Sequence, residues 1–208
     1  MSAARRILSI ALLVLMTAAG AALAEEPLET IKGPLEESLS LLKDPAYQDP
    51  SRKQEQRDLM WKLIESVFDF EEVSRRALAR NWNQFDDGQK SEFVSLFTRL
   101  LGNTYLNQVQ EAYKDETVAY DSQEIHESKP LARVQTRILS QKGDIPVDYS
   151  LKKVDGRWRI YDVKVEGVSL VKNYRTQFEE ILMKESPGQL IERLKAKVVE
   201  QESSPAGA

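Results

Sequence analysis

Apolar residues recur along this chain in two rhythms: every three to four positions, then every second position, then every three to four again. Pro27–Leu42 carries Ile31, Leu35, Leu39 and Leu42 at helical spacing, with Pro34 near the expected helix start. Lys43-Asp44-Pro45 and Asp49-Pro50 interrupt the pattern as a turn-rich connector. From Arg52 to Phe68 one stripe is formed by Leu59, Leu63, Ile64, Val67 and Phe68. Asp69 is placed to cap a short helix that turns Phe70, Val73, Ala77 and Leu78 inward. Asp86, followed three residues later by Gln89, has the form of a capping box. Behind it runs the strongest helical stripe of the chain: Phe93, Leu96, Phe97, Leu100, Leu101 and Tyr105.

The period changes to two after Tyr113. Thr117–Tyr120 is the first expected strand, and Ala132, Val134, Thr136 and Ile138 alternate with polar residues in the second. Ile145, Val147, Tyr149 and Leu151 mark a third, and Asp155-Gly156 is a tight hairpin signal. Trp158–Val165 completes the series. Counting by twos puts Tyr161, Val163 and Val165 on one face and Asp162 on the other, as a structural partner for an arginine or a backbone group. Helical spacing resumes with Leu170, Val171, Tyr174, Phe178, Ile181 and Leu182. A last helix opens at Ser186-Pro187 and carries Leu190, Ile191, Leu194 and Val198. Residues 203–208 read as a disordered tail. The expected fold class is α+β: a curved antiparallel sheet of about four strands, covered on one face by helices from both ends of the chain.

Composition narrows the chemistry. Residues 1–24 have a positive start at Arg5 and Arg6, an apolar run from Ile7, and Ala22-Leu23-Ala24 ahead of Glu25-Glu26. That is the form of a signal peptide cleaved near Ala24, leaving one domain over residues 25–208 that works outside the cytoplasm. Without the two signal arginines the balance is 27 basic to 33 acidic side chains, a net charge of −6. A nucleic-acid binder needs the opposite sign. The chain has no cysteine, so disulfides, thiolate nucleophiles and cysteine metal sites are excluded. His126 is the single histidine and sits in a polar stretch, Glu124–Ser128, read as an exposed connector. Asp86-Asp87, Glu71-Glu72 and Glu179-Glu180 fit helix starts and solvated faces better than an acid–base pair. No glycine-rich phosphate cradle or nucleophile elbow occurs, so no enzyme activity, cofactor or metal is expected.

The run Ile145–Phe178, IPVDYSLKKVDGRWRIYDVKVEGVSLVKNYRTQF, strongly resembles the signature of MlaC-type periplasmic phospholipid-binding proteins, the toluene-tolerance family. Phe68–Arg76, Leu78–Trp82, Phe97–Leu101 and Thr104-Tyr105 agree with it, so the resemblance spans about Leu28 to Lys197. Two departures stand out. Asp86-Asp87-Gly88-Gln89 replaces a frequent Thr-Pro-Glu-Gln, keeping the capping chemistry, and Ala79-Arg80-Asn81-Trp82 replaces the usual Gly-Arg-Tyr-Trp. The resemblance implies a soluble periplasmic carrier moving phospholipid between outer and inner membranes to maintain outer-membrane asymmetry. Acyl chains would sit in an apolar cavity between sheet and helices. The implied partners are phospholipid, an inner-membrane ABC transporter complex of the Mla type and an outer-membrane lipoprotein–porin complex, with the carrier itself a monomer. Strand parity and helix stripe then nominate Leu100, Leu101, Tyr105, Val147, Tyr149, Tyr161, Val163 and Tyr174 as the lipid-facing walls. A carrier of a hopanoid or sterol-like lipid, and a ligand-free periplasmic interaction module, are the competing expectations.

Overall fold

A computed structural model describes residues 26–203; the expected signal peptide lies outside them, as does the expected tail except Ser203, which ends the last helix. Among the described residues six α-helices and one five-stranded sheet follow the order helices, strands, helices. The first helix, α1, is Pro27–Lys43, with a proline in its first turn, so Pro34 lies inside the helix rather than at its start. Its first turn is tied to the sheet, because the Leu28 N–H donates to the Gln123 side chain at 2.9 Å. Two short 3-10 turns lead into α2, Lys53–Val67, and α3 spans Phe70–Leu78. Asp69 caps α3 by accepting from the Glu72 N–H at 2.9 Å, as its position predicts. The long helix α4, Asp87–Ala112, opens on a complete capping box: Asp86 accepts from the Gln89 N–H, and Gln89 returns the bond.

The strands β1 Thr117–Ile125, β2 Leu131–Ser140, β3 Gly143–Val154, β4 Arg157–Val165 and β5 Val168–Ser169 pair in chain order, each antiparallel to the next. The fifth strand is two residues long, and no alternation can be read in so short a segment. It leads directly into α5, Leu170–Leu182, and then α6, Pro187–Ser203.

The register of β4 corrects one expectation. Ser150 faces Asp162 while Leu151 faces Ile160, so Tyr161 is an extra residue in a β-bulge. The inward face therefore holds Trp158 and Ile160 before the bulge, and Val163 after it, opposite Tyr149. Tyr161 leaves the set, because one inserted residue shifts the alternation by one place. The Arg76 guanidinium lies 3.9 Å from the centroid of its ring.

Three apolar clusters fill the molecule. One is helical: Phe93, Phe97, Leu100 and Leu101 of α4 pack with Phe178 of α5 and Leu194 of α6, among others. A second lies under α1, where Ile31 meets Val134, Leu151, Trp158 and Ile160 of the sheet. A third, smaller one joins Leu42, Met60 and Leu106.

Candidate functional site

Where the three clusters approach one another they leave a cavity of about 420 Å³. That lies within the ~300–1,000 Å³ typical of small-molecule sites. Helix α4 contributes Leu101, Gly102, Tyr105 and Leu106 to its wall. Opposite, Trp61 and Ile64 of α2 are joined by Phe68, Phe70 and Val73. Leu35 comes from α1, and Tyr149, Val163 and Val165 from the sheet. Gly102 has a specific purpose here, since a Cβ at that position would stand 2.9 Å from the Trp61 ring. Glycine lets the indole lie directly against the α4 backbone. Trp61 stacks on Phe70 at 5.4 Å between centroids, and Phe70 on Phe68 at 5.3 Å, so this wall is a continuous aromatic row.

The mouth is marked by apolar groups left in solvent. Tyr105, Val165 and Val168 line the cavity and are 38%, 45% and 65% exposed. Val165 and Val168 face each other across a hairpin whose turn, Glu166-Gly167, has two positive φ angles. Asn173 of α5 and Ser169 add polar atoms close by.

Asp162 is the one carboxylate on the lining, and it is occupied. It accepts from the Ser169 hydroxyl at 2.7 Å and from the Val171 N–H at 3.1 Å, which satisfies the start of α5. The expected backbone partnership is therefore present, with a serine in place of an arginine. No lysine or arginine lines the cavity. Burial pushes the Tyr149 phenol up to about 12, against the opposing effect of a hydrogen bond with Thr136, so the lining carries a neutral hydroxyl there at physiological pH. Among the described residues no group of three or more histidine, aspartate or glutamate side chains could hold a metal ion, and no helix is long and apolar enough to cross a membrane.

Of the eight residues nominated from the sequence, Leu101, Tyr105, Tyr149 and Val163 stand together on this lining. The other four do not. Leu100 points into the helical core, 7% exposed, and Val147 is buried on β3 opposite Val165 without reaching the lining. Tyr161 is displaced by the bulge. Tyr174 is spent in an aromatic cluster, 4.9 Å from Phe97 and 5.7 Å from Phe178 between centroids. The wall from α2 and α3 was missed altogether. Its signal was present in the close spacing of Trp61, Phe68 and Phe70, more aromatic bulk than a single helical stripe needs. His126 lies in the exposed β1–β2 connection, where its Nδ1 accepts from the Ser128 N–H at 3.3 Å.

Comparison with known proteins converges on one group. The family described as MlaC protein matches residues 34–196. The toluene tolerance protein Ttg2D of Pseudomonas putida is 26% identical over 163 residues, 77% of this chain and 75% of that protein. A phospholipid-binding protein from Ralstonia solanacearum, solved in complex with a phospholipid, superposes with a TM-score of 0.73 at 21% identity. That match covers 86% of this chain and all of the other.

Proposed function

Since the chain belongs to the MlaC family, we propose that it is a non-enzymatic phospholipid carrier that holds acyl chain in the cavity and leaves the head group at the mouth. The observation that carries this reading is a hollow with apolar and aromatic walls, without a cation, whose opening is rimmed by exposed Tyr105, Val165 and Val168. At ~30 Å³ for a water-sized group, 420 Å³ accommodates on the order of a dozen methylenes, close to one fatty chain. The lipid-bound Ralstonia relative supports the same cargo.

Energetics set the manner of working. Moving about a dozen methylenes out of water is worth on the order of 10 kcal/mol at ~0.8 kcal/mol per methylene. A shuttle competes with bilayers rather than with water, so it need only match their interior. Partner contacts then tip loading and release by one or two kcal/mol, as in any population shift. A lining without a fixed cation suits tolerance toward head groups. In this reading the protein is a periplasmic monomer after cleavage near Ala24. It exchanges lipid with an inner-membrane ABC transporter complex of the Mla type and an outer-membrane lipoprotein–porin complex, sustaining outer-membrane asymmetry.

Organic extraction of protein secreted into the periplasm, followed by mass spectrometry, tests the cargo. Diacyl phospholipid in near-stoichiometric amount is the expected result. Polycyclic lipid, or an extract free of lipid, overturns it.

A further inference from the structure

Glu72 of α3, only 5% exposed, forms ion pairs with Arg75, Arg76 and Lys152 at once. Further cations surround this group, and none of them has an ion-pair partner among the described residues. Arg159 donates to the Ser66 carbonyl, and Arg175 donates to the Arg76 carbonyl at 2.9 Å. Lys153 lies over the Trp158 ring, 5.4 Å from its centroid. Arg157 follows the β3–β4 turn with its side chain in solvent. Acids are fewer: Asp69 and Glu71 act on Arg75 from nearby, and Asp155 occupies the turn itself. The β1–β2 connection, joined to Lys153 through the Pro130 carbonyl at 2.9 Å, adds Lys129 and Glu127, so eight cations stand among five carboxylates in a chain whose formal net charge is −4.

The arrangement also breaks a rule of sheet design. Lys152 and Arg159 stand directly opposite each other in the β3–β4 register. Like charges in that relation destabilise a sheet. Glu72 and the Ser66 carbonyl hold Lys152 and Arg159 in this relation, so contacts from outside the strand pair keep both charges at the same place.

We propose that this cationic end of the sheet is a docking surface for an acidic face of a partner protein. Two features favour a protein over a membrane. Arg75 and Arg76 are fixed by Glu72, and Arg159 and Arg175 by carbonyls, which presents guanidinium groups in set directions suited to carboxylates. The exposed β3–β4 part of the patch, Lys152, Lys153, Arg157 and Arg159, also lies toward the opposite end of β4 from the cavity mouth, with Arg159 six residues and ~20 Å from Val165 along the strand. A bilayer gripped there would leave the mouth away from the lipid. The surface is independent of which lipid the cavity holds.

The test uses the full mature protein and fluorescein-labelled poly-L-glutamate, with binding followed by anisotropy across a salt series. Wild type is expected to bind, more weakly as salt rises. The double variant Lys153→Glu/Arg157→Glu leaves the Glu72 ion pairs intact and is expected to lose about tenfold or more in affinity. Reversal of Lys195 and Lys197 on α6 serves as the control and should change little. Circular dichroism and lipid content are measured for each protein, so a failure of the cargo reading is seen separately. Should the double variant misfold, Arg75→Gln/Lys152→Gln replaces it. Absence of wild-type binding, or equal losses in patch and control variants, overturns the proposal. So does sedimentation with phosphatidylglycerol vesicles that the same patch variant abolishes.

Discussion

Ala79 adopts a backbone conformation that glycine would take without strain, with φ of 49° and ψ of −123° at the end of α3. A Cβ there costs about 1–2 kcal/mol. The departure from a Gly-Arg-Tyr-Trp pattern noted in the sequence falls on this residue, so the substitution has a physical cost. Ala79→Gly is expected to raise unfolding free energy by about 1 kcal/mol, measured by urea denaturation, and lower stability would contradict the strain. Tyr149 offers a test in pH. Its phenol is raised from 10.0 to about 12 by burial, so the folded state holds a proton that the unfolded chain releases earlier. Stability is then level below about pH 10 and falls as pH rises from there toward 12. Tyr149→Phe should shallow this alkaline decline in thermal melts, while leaving the neutral range unchanged in slope. Tyr174, also raised to about 12, keeps part of the decline in that variant.

Elements were legible wherever their signals are local. The Asp69 cap and the Asp86/Gln89 box stand where the sequence puts them, because each is decided by residues within one turn. The bulge at Tyr161 was harder. Trp158 and Ile160 are apolar at even positions and Val163 and Val165 at odd ones, so a switch of parity was written in β4, but only pairing with β3 shows where it falls. The same strand positions Asp162 to hold α5. Asp162→Ala is expected to cost about 1–2 kcal/mol and to speed hydrogen exchange at the Val171 amide. Unchanged exchange there would remove Asp162 from that role.

At the scale of the molecule, the cavity was the part least visible in sequence. An apolar stripe specifies a buried face, yet a wall residue and a core residue carry the same pattern. Leu100 and Leu101 are adjacent, and one fills the helical core while the other also faces the hollow. Tyr174 and Tyr105 divide the same way. What separates them is the meeting of three clusters from distant parts of the chain, a property that no window of residues contains. Gly102→Leu places a branched side chain into this space, where even a Cβ would meet Trp61 at 2.9 Å. Bound lipid per protein, by extraction and phosphorus assay, should fall to a small fraction of wild type. The overpacking should cost about 1–3 kcal/mol. Stripping lipid from wild type should lower its melting temperature and adding phospholipid back should restore it, since a ligand that binds only the folded state stabilises it by mass action.

The tight seat of Trp61 against Gly102 also equips the protein with a native optical gauge. Trp82 and Trp158, the other indoles of the chain, are absent from the lining, so changes in emission colour on filling or emptying would come chiefly from one ring. Loading could then be timed in real time, in unlabelled protein, by a blue shift as hydrocarbon replaces water beside that ring.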